Sequence, residues 1–166
     1  MRLESDSVHR GIYLSEEMQA LMDGPWIAED AEDRVSRLHS DFEAFVRRDP
    51  VSLCLVPYKA GSANFGRLAE PEEEVWDYRT RSGLPVIRIF GRFAIPGTFI
   101  AFNWAPRIVP WNGREPFGDK HDPRWEIAKT ACISQWETLF PKHDPVHGDD
   151  VHDYVPDEYA IDILSQ

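Results

Sequence analysis

Three short apolar runs in the middle of the chain constrain its fold more than any other feature. They span residues 73–79, 85–93 and 98–104, and the turn sequences 80–84 and 95–97 separate them. Strands joined by such short turns pair antiparallel, and successive side chains in each strand point to opposite faces. The sequence therefore predicts an antiparallel sheet built from consecutive hairpins.

Because side chains alternate between the two faces along each strand, this parity divides the residues of the predicted sheet into two sets, one on each face. With turns at Ser82-Gly83 and Pro96-Gly97, Gly91 lies opposite Phe102. The apolar set comprises Trp76, Tyr78, Ile87, Ile89, Phe93, Ile100, Phe102 and Trp104. The opposite set comprises Asp77, Arg79, Arg88, Phe90, Arg92, Ala101 and Asn103. A single apolar face predicts that the helices cover one side of the sheet and leave the arginine-bearing side in solvent.

Helical signals flank the predicted sheet on both sides. Ser15, followed by two glutamates, predicts the N-cap of a short helix that ends at Gly24-Pro25. Apolar residues recur at helical spacing over residues 29–48 and predict a longer helix. A third helix is predicted from Asp122-Pro123, a cap followed by proline, to Phe140-Pro141.

These patterns predict an α+β fold with two N-terminal helices, a twisted antiparallel sheet of about four strands and a further helix. Residues 51–56 are apolar at both faces and supply the remaining strand. We assign residues 1–141 to a single α+β domain. Residues 142–166 form an acidic C-terminal segment that packs on this domain or extends from it.

Charge is distributed unevenly along the 166 residues, whose net charge is -11. Residues 1–78 carry -9, residues 79–129 carry +5 and residues 130–166 carry -7. A basic middle is compatible with an anion bound locally, whereas the acidic ends repel nucleic acid at long range. The two cysteines lie in apolar segments, and no apolar run approaches the ~20 residues that cross a bilayer. We therefore expect a cytoplasmic protein with no membrane partner.

The arginine-bearing face carries the first candidate site. Guanidinium groups suit phosphate binding, and an aromatic ring offers a stacking plane for a base. The candidate catalytic residues are Arg79, Arg88, Arg92 and His121, and the candidate substrate-binding residues are Phe90, Asn103 and Lys120. Alternatively, Asp77–Arg88 and Glu73–Arg92 are ordinary cross-strand ion pairs on a solvated face.

Two segments in these strands carry a resemblance to a known family. Trp76-Asp77-Tyr78-Arg79 matches a W-x-x-R segment, and Ile87-Arg88-Ile89 matches the arginine-bearing hydrophobic strand that follows it. In these segments and in the order of its elements, the chain resembles the RelE/ParE/HigB toxin superfamily over about residues 29–139. The resemblance implies an RNA-cleaving enzyme that uses arginines on the sheet face, here Arg79, Arg88 and Arg92.

Residues 143–153 form a second candidate site, with three histidines and four aspartates. Imidazole nitrogens and carboxylate oxygens are suitable ligands for Zn²⁺ or Mn²⁺. The candidate metal ligands are His143, His147, His152 and Asp149. Pro145 and Gly148 oppose the helix that would align the first two histidines, so an exposed acidic loop is the alternative.

Three functions stay open on the sequence. An RNA-directed, toxin-like endoribonuclease would use the arginine-bearing face without a cofactor. A non-enzymatic acidic binding module or inhibitor would engage a basic protein partner, which the net charge of -11 favours. A metal-dependent hydrolase would use the 143–153 cluster with zinc or manganese.

Overall fold

A computed structural model describes residues 9–80 and 87–165, and a strongly curled, half-barrel sheet of seven strands forms its centre. The strands are β1 (Gly11–Leu14), β2 (Val51–Cys54), β3 (Phe65–Arg67), β4 (Trp76–Arg79), β5 (Ile87–Ile95), β6 (Thr98–Pro106) and β7 (Ala160–Asp162). Their order across the sheet is β1-β6-β5-β4-β3-β2-β7. Strands β3 to β6 pair antiparallel, whereas β1 pairs parallel with β6, and β2 pairs parallel with both β3 and β7.

In the part of the chain that the structure describes, four α-helices accompany the sheet. They are α1 (Glu16–Asp23), α2 (Ala31–Val46), α3 (Pro123–Leu139) and α4 (Val151–Tyr154), and short 3-10 turns lie at Pro71–Glu73 and Ile163–Ser165. The predicted N-caps are confirmed, because Ser15 accepts a hydrogen bond from the Met18 amide and Asp122 accepts one from the Arg124 amide. None of the helices described here has the length and apolar character that a bilayer-spanning segment needs.

The prediction of an antiparallel sheet of about four strands is wrong, because the sheet is mixed and has seven. The strands that the sequence did not indicate are β1, β3 and β7, which are only three or four residues long. Segments this short give almost no alternation of polar and apolar residues. Two of them, β1 and β7, are held by parallel pairing to strands far along the chain, which no local signal reports.

A bulge in β6 overturns the prediction of one apolar face. Near the β5–β6 turn, Gly91 pairs with the residue that precedes its predicted partner Phe102. Farther from the turn, Ile89 pairs with Trp104. A methyl group on Gly91 would overlap the carbonyl oxygen of Ile100, so only glycine permits this close approach. Consequently Ile100 and Phe102 face the opposite side of the sheet from Trp104.

Helices therefore cover both faces of the sheet. One apolar cluster joins α1 and α2 to Trp76, Ile87, Ile89 and Trp104, and the other joins α3 to Phe90, Ile100 and Phe102. The register of β4 against β5 differs from the predicted one by two residues, which preserves parity. The predicted turn at Ser82-Gly83 lies outside the described residues.

The acidic C-terminal segment contributes to both the sheet and the core. Strand β7 forms one edge of the sheet, and Tyr154 is fully buried. Asp157 forms a buried double hydrogen bond with Arg10, at 2.7 Å to the guanidinium Nε and 2.8 Å to Nη2. The two side chains are only 1% and 0% exposed, so this ion pair joins the two ends of the described chain inside the protein.

Candidate functional site

A cavity of about 490 Å³ opens where the start of α3 approaches β3, β4 and β5. Its charged lining residues are Arg67, Arg79, Arg88, Arg107, Lys120 and Lys129, with Asp77, Asp119, Asp122 and Glu126. Six cations therefore face four carboxylates, in a chain where 29 acidic residues outnumber 18 basic ones. We refer to this cavity, lined also by His121, Tyr58 and Trp125, as the basic cavity.

A buried ion cluster forms the floor of the basic cavity. Arg79 Nε lies 3.1 Å and Arg88 Nη1 lies 2.9 Å from the same carboxylate oxygen of Asp77. Gly66 pairs with Asp77 across the sheet, and a methyl group there would lie 2.8 Å from the other carboxylate oxygen. Because two guanidinium groups share one carboxylate, the cluster keeps one net positive charge.

Part of this cluster has unused hydrogen-bonding capacity. Within the described residues, neither Asp77 Oδ1 nor Arg88 Nε has a hydrogen-bond partner, although both atoms are buried. Burial lowers the pKa of Arg88 to about 10, and the neighbouring Asp77 carboxylate opposes this shift. Arg88 thus remains charged at neutral pH and is only partly neutralised by its neighbour.

The connection between β6 and α3 supplies the exposed rim of the basic cavity. Arg107, Lys120 and His121 are all exposed there. The Asp119 side chain holds this segment, since its Oδ1 accepts a hydrogen bond from the His121 amide at 2.9 Å. Hydrogen bonds from Arg124, followed by those from backbone amides, hold the pKa of the Asp122 cap well below its usual range. The rim is therefore anchored to the first turn of α3.

The structure brings together four of the seven residues predicted for the first candidate site. Arg79 and Arg88 form the floor of the basic cavity, and Lys120 and His121 lie at its rim. The predicted Asp77–Arg88 ion pair is present, but it is buried instead of solvated. The roles of these four residues stay predictions.

The other three predicted residues lie beneath α3 and outside the basic cavity. The guanidinium carbon of Arg92 lies 5.5 Å from the centroid of the Trp136 ring, and its Nη2 donates to the Glu73 carbonyl. Phe90 is 1% exposed, and Asn103 is 9% exposed with its amide directed at the Ala128 carbonyl. The prediction that this face is solvated is wrong, because α3 packs on it over Phe90 and Phe102.

Several residues that line the basic cavity were not predicted from the sequence. Arg67 lies in the three-residue strand β3, Tyr58 in a turn, and Trp125 and Lys129 in the first half of α3. The Arg88 guanidinium lies 4.7 Å from the centroid of the Trp125 ring.

The candidate metal ligands in residues 143–153 are held in separate contacts. His147 Nδ1 lies 3.7 Å from Glu74 Oε1, and His152 Nδ1 lies 2.9 Å from Asp150 Oδ1. Asp150 and Asp153 form a capping box around α4, which occupies their carboxylates. Across residues 9–80 and 87–165, no group of three or more histidine, cysteine, aspartate or glutamate side chains is arranged to hold a metal ion.

We expect this segment to be independent of metal. Protein dialysed against EDTA should keep its melting temperature, because the capping box and not a cation orders residues 143–153. Elemental analysis of the purified protein, together with thermal unfolding before and after chelation, measures this. Stoichiometric zinc or manganese that survives dialysis would contradict the expectation and favour the hydrolase.

Comparison of this chain with protein-family models, with curated proteins and with solved structures found no match. The resemblance to the RelE/ParE/HigB superfamily therefore remains a prediction, and any function has to be argued from the basic cavity itself.

Proposed function

We propose that this chain is an RNA-directed endoribonuclease that binds phosphate groups of RNA in the basic cavity. The observation that carries the proposal is the convergence of six lysine and arginine side chains on one cavity in a chain of net charge -11. Most of the acidic residues lie elsewhere, so the attraction for phosphate is local. Guanidinium groups match the oxygen atoms of a phosphate in pairs, which favours arginine-rich sites of this kind.

The floor and the rim of the basic cavity would have different tasks. Arg79 and Arg88 are held by Asp77, so their orientation is set before a ligand arrives. Lys120 and Arg107 are exposed and can contact the phosphate groups on either side. A preorganised floor reduces the entropy lost on binding, whereas the exposed rim cations are placed to contact the RNA backbone as it leaves the cavity.

Cleavage would proceed by attack of the ribose on the neighbouring phosphate. His121 accepts the proton of the 2′-hydroxyl group, and the 2′ oxygen forms a bond to phosphorus while the bond from phosphorus to the 5′ oxygen breaks. Water protonates the leaving 5′ oxygen, and His121 returns its proton to solvent. The products are a 2′,3′-cyclic phosphate and a 5′-hydroxyl end. The cavity arginines would stabilise the negative charge on the phosphate oxygens in the transition state.

Removing the two rim cations should weaken RNA binding without disturbing the fold. Arg107 and Lys120 are exposed, whereas alanine at Arg88 would leave buried Asp77 with one partner fewer. If wild type makes about three phosphate contacts, its log–log salt slope on single-stranded RNA is about -2. We expect Arg107→Ala/Lys120→Ala to bring the slope to about -0.7, which fluorescence anisotropy across a salt series measures.

The matched control is Arg37→Ala/Lys142→Ala, which removes the same charges at exposed positions outside the basic cavity. Arg37 lies on α2, across the sheet from the cavity, and Lys142 follows the far end of α3. An equal loss of affinity in both variants would show that binding reflects overall charge and not the cavity. If wild type does not bind RNA even at low salt, the proposed function is wrong, and the acidic binding module becomes the better hypothesis.

A further inference from the structure

Tyr58 lies at the mouth of the basic cavity with 68% of its surface exposed. The ammonium nitrogen of Lys120 lies 5.4 Å from the centroid of its ring, so a rim cation already accompanies it. Most exposed aromatic rings of this size have no particular role, and exposure by itself says little. The backbone conformation of Tyr58 is a second observation that points to a role for the ring.

Tyr58 occupies a turn position that favours glycine. The Lys59 amide donates to the Val56 carbonyl at 3.2 Å, which places Pro57 and Tyr58 at the centre of a four-residue turn. The φ angle of Tyr58 is +66°, which lies in the left-handed region of backbone conformation. Residues that have a Cβ atom adopt this region only at a cost in free energy. Since the exposed ring regains little of that cost through burial, its presence here is better explained by a ligand than by the fold.

The second aromatic ring of the basic cavity is already engaged by the protein. The Arg88 guanidinium packs on Trp125, whose Nε1 donates to the Asp119 carbonyl at 3.0 Å. Phe90 and Phe117 also pack nearly perpendicular to this ring, with centroid distances of 5.9 and 5.0 Å. Of the two aromatic residues that line the cavity, Tyr58 is therefore the one whose ring is open to a ligand.

We infer that Tyr58 is a stacking platform for an unpaired nucleobase, and that the ligand class of the basic cavity is single-stranded RNA. This inference rests on the proposed function. A phosphate at Arg79 and Arg88 would place an adjoining base at the cavity mouth, where it stacks on Tyr58 beside the Lys120 ammonium group. Bases in a duplex are already stacked on one another and are not available to the ring.

The test compares Tyr58→Ala with Tyr58→Trp on three fluorescein-labelled RNA probes of equal length. The probes are a single strand, the same strand with abasic sites, and a duplex. Loss of one stacked base costs a factor of about 5 to 150 in affinity. We expect Tyr58→Ala to lose that factor on the single strand and nothing on the abasic strand, and Tyr58→Trp to retain wild-type affinity. Wild type should bind the single strand more tightly than the duplex.

A further variant separates stacking from a role in folding. Tyr58→Gly should raise the melting temperature, because glycine adopts φ of +66° without strain, and should weaken single-strand binding as Tyr58→Ala does. A lower melting temperature would show that the ring packs the fold and would overturn the inference. So would equal losses on the intact and abasic strands, or preference for the duplex. Absence of RNA binding by wild type would instead overturn the proposed function.

Discussion

Replacing Arg10 with methionine should lower the free energy of unfolding by about 3–5 kcal/mol. Methionine fills a similar volume but leaves the Asp157 carboxylate buried at 1% exposure without its double hydrogen bond. Arg10 also donates to the Asp49 carbonyl at 2.7 Å, which would lose this donor. Chemical denaturation followed by tryptophan fluorescence measures the loss.

The loss of stability in Arg10→Met should depend on pH, and the titration of Asp157 sets the direction of this dependence. Burial by itself would raise the pKa of this carboxyl group, but hydrogen bonds from Arg10 and the Tyr159 amide outweigh it and lower the pKa. The stability that the wild-type pair contributes is therefore present above the ordinary value of 3.8 and is lost as the pH falls through the folded-state pKa. We expect the difference in the free energy of unfolding between Arg10→Met and wild type to become smaller as the pH falls over that range.

Arg47→Met is the matched control, because the Arg47 side chain is 63% exposed and pairs with exposed carboxylates. It should cost less than about 1 kcal/mol. The double variant Arg10→Met/Asp157→Leu removes both charges and should regain much of the loss. If Arg10→Met behaved like Arg47→Met, the ion pair would not be an important contributor to the stability of the fold.

Replacing His121 with asparagine should reduce the rate of RNA cleavage by about 10²- to 10⁴-fold, the usual contribution of a general base. RNA affinity should change little, because His121 lies at the exposed rim while Arg79 and Arg88 remain in place. Single-turnover cleavage of an end-labelled strand gives the rate, and analysis of the product ends identifies the 2′,3′-cyclic phosphate.

His39→Asn provides the control for this experiment. His39 is an exposed histidine on α2, on the other side of the sheet, and its loss should leave the rate unchanged. Full activity in His121→Asn would remove this residue from the mechanism. RNA that wild type binds but never cleaves would show that the basic cavity recognises RNA without acting as a nuclease.

Local patterns in the sequence were sufficient to find the floor of the candidate site. Alternation of side chains along a strand places Arg79 and Arg88 on the same face, and this survived a two-residue change in register. The cap at Asp122 correctly marked the start of α3, which borders the cavity. These features depend only on neighbours in the chain, so the sequence reports them directly.

Features that depend on distant contacts were not predictable in the same way. The bulge in β6 follows from the close approach of Gly91 to the Ile100 carbonyl, which a pattern of polar and apolar residues does not encode. The same bulge gives the sheet a second apolar surface, and α3 covers Arg92 there. Tyr58 was missed for a different reason, since one exposed ring in a turn has no periodic signature.

The two edges of the sheet have a consequence for the kinetics of folding. Strands β3 to β6 pair with their neighbours in sequence, whereas β1 and β7 each pair with a strand that is distant in the sequence. Because closing a long loop costs entropy, we expect the antiparallel strands to assemble first and the edges, with Arg10–Asp157, to dock after the rate-limiting barrier. Losing that ion pair would then accelerate unfolding and leave the folding rate almost unchanged. The edges thus determine how long each folded molecule persists.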